Sequence, residues 1–166
     1  MENAKKELYK RFAQLEIKTQ LYSHEPLYTV EQAKKVALEI GLPGAGCKNL
    51  FLKDSKNRLW LLVAMADTKI ELKKLSKALH APELRFANAE LLKNYLGVEP
   101  GAVTPFGLIS DKDHFVRVIL DAALFNQELI SFHPLTNDAT LTITPEDLKR
   151  FIESCGNEII IHSFVF

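Results

Sequence analysis

Hydrophobic and polar positions along this chain switch repeatedly between two periods, the roughly 3.6-residue repeat of a helix and the two-residue repeat of a strand. The helical stretches are marked by their ends. Thr29-Val30-Glu31-Gln32 and Thr68-Lys69-Ile70-Glu71 fit the capping box, in which the N3 side chain reaches back to the N-cap amide. Thr144-Pro145-Glu146-Asp147 sets proline at the first helical position, where its missing donor costs nothing, and adds carboxylates at the positive end of the helix dipole. Gly41, Gly97 and Gly156 follow patterns ending at Ile40, Leu96 and Cys155, where glycine readily turns left-handed past a helix. With Ala4 to Leu15, these signals predict about five helices.

Strands are predicted over Gln20 to Ser23, Lys48 to Lys53, Leu59 to Ala64, Val103 to Ile109, Phe115 to Leu120, Glu128 to Phe132, Thr140 to Ile143 and Glu158 to Ser163. Asp54-Ser55-Lys56-Asn57 and Ser110-Asp111-Lys112-Asp113 read as polar hairpin turns, which require antiparallel neighbours. Helices and strands interleave throughout, without repeats or linkers. The expectation is a single domain over residues 1–166 of the α/β class, with a mixed, mostly antiparallel sheet curled toward a barrel and helices outside it.

Composition narrows the function classes. The 166 residues are 47% hydrophobic, enough for one core. The 21 basic and 21 acidic residues cancel, so no global field holds DNA or long nucleic acid, and an RNA partner must be gripped locally. Cys47 and Cys155 are too few for a disulfide framework and lack metal-ligand spacing, which suits a reducing cytoplasm and predicts neither metal nor nucleotide cofactor. The segment Met1 to Glu7 is charged, and no apolar run is long enough to span a bilayer. A soluble, unprocessed protein without a membrane partner is expected.

Three segments carry the candidate chemistry. Gly101-Ala102-Val103-Thr104-Pro105, set between Pro100 and Phe106-Gly107, crowds conformational punctuation into a strand-like run and suggests a shaped, exposed main chain. Lys48 opens the apolar run Leu50-Phe51-Leu52; it either anchors a ligand or snorkels to solvent at a strand end. Asn49 beside it either fixes a ligand or closes a turn. Ser131 and His133 share a strand face, and Pro134 biases His133 toward extended geometry, as suits either a site or a surface junction. Leu135-Thr136-Asn137-Asp138 then reads as a loop. His24, His80, His114 and His162 each have a structural explanation. Lys69, Lys73, Lys74 and Lys77 recur at helical spacing and read as a solvated face, with phosphate contact the alternative. No nucleophile elbow, Ser-His-Asp order, phosphate loop or Cys-His pairing is present.

Together, Lys48-Asn49-Leu50-Phe51-Leu52-Lys53-Asp54, the segment Gly101 to Leu108, and Ser131-Phe132-His133-Pro134-Leu135-Thr136-Asn137 resemble the family that contains the YbaK proteins and the editing domain inserted in bacterial prolyl-tRNA synthetases. The resemblance runs from His24 to the C-terminal strand and is greatest to the free-standing members that remove alanine mischarged onto proline tRNA. It implies metal-independent hydrolysis of an aminoacyl ester on the terminal adenosine, with the acceptor end of aminoacylated tRNA and prolyl-tRNA synthetase as partners. It makes Lys48 and His133 the catalytic candidates. Asn49, Gly101, Ala102, Val103, Thr104, Pro105 and Ser131 become the substrate-binding ones.

Such an enzyme has a physical reason to exist. A pocket shaped for proline rejects the smaller alanine by only about 1 to 3 kcal/mol per missing methylene, so a second, hydrolytic sieve is required. Val103, Thr104 and Pro105 offer a stiff wall, and loop amides offer donors to a developing oxyanion. Two alternatives stay open at this level: a deacylase for cysteine or serine on tRNA, and a noncatalytic module that binds tRNA or a synthetase.

Overall fold

A computed structural model describes residues 2–164. Its α-helices are α1 (Glu2–Gln14), α2 (Val30–Ile40), α3 (Leu72–Leu79), α4 (Ala89–Leu96) and α5 (Pro145–Cys155), with 3-10 helices at Pro105–Ser110 and Ala122–Asn126. Strands β1 (Gln20–Ser23), β2 (Ala45–Lys53), β3 (Leu59–Met65), β4 (Arg85–Phe86), β5 (Val116–Asp121), β6 (Ile130–Phe132), β7 (Ala139–Ile143) and β8 (Ile159–His162) join one sheet. Their order is β1-β7-β6-β2-β3-β5-β8, with β4 also on β2. The pairs β1–β7, β6–β7, β2–β3 and β2–β4 are antiparallel, and β2–β6, β3–β5 and β5–β8 are parallel. The expected mixed, mostly antiparallel sheet forms, but it stays open instead of closing into a barrel.

Both faces of its centre are covered. Phe51, Leu61, Val63, Val118 and Leu120 pack on one face against Leu8 and Phe12 of α1, Leu92 and Leu96 of α4, and Phe151 and Ile152 of α5. Leu52, Trp60, Leu62, Ala64 and Ile119 pack on the other face with Leu75 of α3. That is why Leu50 to Leu52 of β2 and the whole of β3 read as continuous apolar runs instead of alternating ones.

The helix ends follow the sequence with one exception. Thr29 and Gln32 form the complete capping box, Thr144 accepts from the Asp147 amide, and Gly41, Gly97 and Gly156 all turn left-handed. Thr68 does not cap α3; Glu71 occupies that position and its side chain makes no capping bond. The Thr68 hydroxyl instead donates to Asp121 Oδ2 at 2.5 Å, beside the Met65 amide at 3.1 Å. Asp121 is 1% exposed, and a buried carboxylate short of donors costs more than an uncapped helix.

The expected strand from Val103 to Ile109 does not form. Thr104 accepts from the Phe106 amide and Pro105 takes the first position, so the segment enters a 3-10 helix with Pro105 to Ile109 buried. The hairpin expected at Ser110 to Asp113 is therefore absent. Asp111 is instead buried and accepts from the Phe115 and Val116 amides and from Asn157 Nδ2, which pins the start of β5. Gly107 is required by crowding: a Cβ there would lie 2.8 Å from Leu96 O.

The β2–β3 turn is organised by Asp54. Its carboxylate, 0% exposed, accepts from the Lys56 and Arg58 amides, from Arg58 Nε at 2.7 Å and from Trp60 Nε1 at 3.0 Å. Burial alone would raise its pKa, but these bonds outweigh burial and hold the carboxyl below the usual range. A depressed folded pKa contributes stability above the unfolded value of about 3.9 that is lost as pH falls through the folded one. Asp54→Asn is expected to lower stability by about 3 kcal/mol at pH 7. Denaturant unfolding followed below about pH 4 should also show a flatter pH dependence than the parent's.

Candidate functional site

Three of the sheet's segments meet around β2. Strand β6 pairs with β2 only at Ala45 and Gly46, and β4 only at Leu52 and Lys53. Both use the same edge, because β3 occupies the other. Between them, at Lys48 to Leu50, no described strand pairs with this edge. The sheet therefore has a gap beside Lys48 and Asn49.

Lys48 lies opposite Ala64 and Asn49 opposite Val63. Successive strand residues point to opposite faces, so Lys48 shares the face of Leu50 and Leu52, and Asn49 shares that of Cys47 and Phe51. Asn49 closes no turn. Its Oδ1 is buried and finds no hydrogen-bond partner among the described residues, a costly state for a polar atom.

Ser131 sits in register with Gly46, and its hydroxyl reaches Ala45 O at 3.4 Å. Parallel partners in register face the same way, which places Ser131 on the Lys48 face. His133 follows two residues later. Its Nδ1 lies 2.9 Å from Ala139 O. A carbonyl only accepts, so in the neutral ring Nδ1 carries the proton and Nε2 presents a lone pair. Leu135 just beyond has φ 77°, an unusual left-handed backbone for a leucine.

Gly101 to Pro105 reaches the same region through the next residue. Phe106 meets Phe132, between Ser131 and His133, edge-on at 5.7 Å. Gly101 has φ 90° and open space around an added Cβ, so glycine serves backbone conformation there, not close packing. Ala102 is buried, Val103 half-buried and Thr104 0% exposed. The Ala102 amide is used by Glu99 O, whereas those of Gly101 and Val103 find no acceptor among the described residues.

His24, which the sequence assigned to an ordinary loop, belongs to this neighbourhood. Its ring lies edge-on to His133 at 6.2 Å. Its Nδ1 is 2.8 Å from Glu25 O and its Nε2 is 2.8 Å from Thr140 Oγ1, so both nitrogens are occupied. Its only sequence signal was a nearby proline, which His133 shares. Cys47 also lies here. Burial, reinforced by the Asp121 charge and opposed by a Ser131 backbone hydrogen bond, pushes its thiol up to about 12. Among the described residues no three His, Cys, Asp or Glu side chains group as metal ligands.

A model of the aminoacyl-tRNA editing domain matches residues 24–151. The chain is 36% identical over 156 residues to a prolyl-tRNA editing protein, ProX, of Acetoanaerobium sticklandii, covering 93% of this chain and 94% of that one. It is 40% identical over 162 residues to a prolyl-tRNA synthetase associated domain-containing protein of Danio rerio, covering 96% and 87%. A solved structure described as a candidate trans-editing enzyme for prolyl tRNA synthetase superposes with TM-score 0.69 over 95% of each chain. At 19% identity, that likeness establishes the fold.

The thiol at Cys47 should be inert despite its place beside the gap, because the thiolate is the reactive form. Mass spectrometry after iodoacetamide treatment of the native protein at pH 8 is expected to find Cys47 unmodified, and to find it alkylated once the chain is unfolded.

Proposed function

Because this chain belongs to the aminoacyl-tRNA editing domain family, we propose that it acts in trans as a deacylase, hydrolysing the ester of alanine mischarged onto proline tRNA. Support for the reading comes from the 36% identity to a prolyl-tRNA editing protein over 94% of that protein's length. The observation that carries the reading is the gap at Lys48 to Leu50, bordered by β6 and its His133 extension, with Phe106 holding the Gly101 loop against Phe132.

An aminoacyl ester is already activated relative to an amide, so positioning and charge suffice where no protein nucleophile is poised. The Cys47 thiol is protonated at neutral pH. In the proposed mechanism His133 Nε2 accepts the proton of the attacking water and returns it to the ribose oxygen as the ester C–O bond breaks, while its Nδ1 bond to Ala139 O holds the ring's tautomer and orientation. The amides of Gly101 and Val103 donate to the carbonyl oxygen as it gains charge. Lys48 neutralises the terminal phosphate or that same developing charge. Asn49 offers its unpartnered oxygen to the substrate amine or ribose.

Size selection falls to Val103, Thr104 and Pro105. Thr104 is locked by its bond to the Phe106 amide and Pro105 by its ring, so the wall does not yield to a proline side chain. After the product leaves, proline tRNA and alanine return to solution, and prolyl-tRNA synthetase recharges the tRNA.

Single-turnover deacylation of alanyl-tRNA for proline tests these roles. Lys48→Ala is expected to slow it by about 100-fold or more while the variant's melting temperature stays near the parent's. Parent-like rates in that folded variant would remove Lys48 from the site. For His133→Ala, the fall in rate on the acid side of the parent's pH profile should disappear; a profile merely shifted down in parallel would exclude general-base work.

A further inference from the structure

In the sequence the lysines of α3 read as a solvated face, and the structure gives that face a shape. Lys73, Ser76, Lys77 and His80 line a shallow groove of about 660 Å³ with Pro82 and Glu83. Lys73 and Lys77 stand one helical turn apart, about 6 Å along the axis. Both are exposed, and neither forms an ion pair among the described residues. Glu83, the carboxylate in the lining, lies 4.0 Å from Arg85, which offsets it. The groove is thus locally positive in a chain whose formal net charge is zero.

Its placement relative to Lys48 is equally specific. Leu75 of α3 packs with Leu52 and Leu62, on the sheet face that Lys48 shares. The chain leaves β3 at Met65, the register partner of Cys47, and reaches α3 a short loop later, so the helix begins at the Lys48 end of the hairpin. Its other end is tied to the hairpin turn, where Arg58 Nη2 donates to His80 O at 2.9 Å. The groove therefore runs along the sheet away from Lys48.

We propose that α3 seats the sugar–phosphate backbone of the substrate's acceptor stem, with Lys73 and Lys77 pairing to phosphates of the duplex while the acylated end lies at Lys48. The Ser76 hydroxyl accepts from the Leu84 amide at 3.2 Å and keeps its own proton for a phosphate oxygen. The contacts read charge and duplex shape, not base identity. The inference rests on the deacylase reading for the identity of the RNA, but the binding it describes does not depend on turnover.

The test uses the full chain and a fluorescent RNA hairpin of acceptor-stem length ending in single-stranded CCA, with anisotropy measured across a salt series. Lys73→Gln with Lys77→Gln is expected to weaken binding about tenfold at low salt and to reduce the slope of log affinity against log salt by roughly 1 per lysine. Lys73→Arg with Lys77→Arg should bind as the parent does. Lys6→Gln with Lys10→Gln, an equal charge change on α1 over the opposite sheet face, should stay within about twofold of it.

A parent that does not bind the hairpin, an α3 glutamine variant that binds like the parent, or an α1 variant that loses as much affinity would each overturn the proposal. Thermal melts of the variants establish that they are folded. A parent that binds through α3 yet leaves alanyl-tRNA intact would overturn the deacylase reading and leave this one standing.

Discussion

The ring of Phe106 fixes the relation between the segments on which the proposed chemistry depends. It is fully buried and meets Phe12, Phe132 and Phe151 edge-on at 5.5, 5.7 and 5.5 Å. These partners belong to α1, β6 and α5, so one side chain joins both terminal helices of the chain to the strand that leads into His133. Edge-to-face geometry places the positive rim of one ring on the negative face of the next and sets orientation as well as distance. Phe106 also lies in the first turn of the 3-10 helix started by Thr104 and Pro105. The clamp therefore positions Gly101 to Pro105 against Ser131 to His133 without a polar link that water or substrate could compete for.

The two sheet faces divide the work. One face collects the aromatic cluster, the Gly101 loop and the buried oxygen of Asn49. The other carries Lys48 and the α3 groove. The gap between β6 and β4 is where the two sides communicate, because there the β2 edge is uncovered by either strand. Lys48, Lys73 and Lys77 lie toward one face, while acids such as Asp54, Asp111 and Asp121 are consumed inside by backbone and side-chain donors. Net charge is a sum, and binding depends on where the terms lie.

Much of this was legible in the chain. Helix ends are local events, so Thr29, Gly41, Gly97, Thr144 and Gly156 announced themselves correctly. Thr68 misled because its hydroxyl answers to Asp121, more than fifty residues away, and no local pattern reports such a demand. Val103 to Ile109 misled for a related reason: apolar residues buried on all sides look alike in a strand and in a short helix, and Thr104-Pro105 was the one local hint of a helical start. The three site segments were visible by composition, but their meeting depends on the β2–β6 register and the Phe106–Phe132 contact. The His24–His133 contact and the gap in the β2 edge left no trace in the sequence, being products of contacts between segments far apart in the chain.

The bond from His133 Nδ1 to Ala139 O ties an imidazole to the first residue of β7. Phe132 pairs with Leu141, and the loop from Pro134 to Asp138 spans the turn between the two strands. The proton's address on the ring is thus written by strand alignment. An insertion or deletion that carried Ala139 O away from the ring would free the Nδ1 proton to move to Nε2, turning that nitrogen from acceptor to donor and removing the lone pair that the proposed water activation needs, while every residue around the gap kept its identity. The length of this loop is accordingly a tighter constraint on the ring's tautomer than its composition.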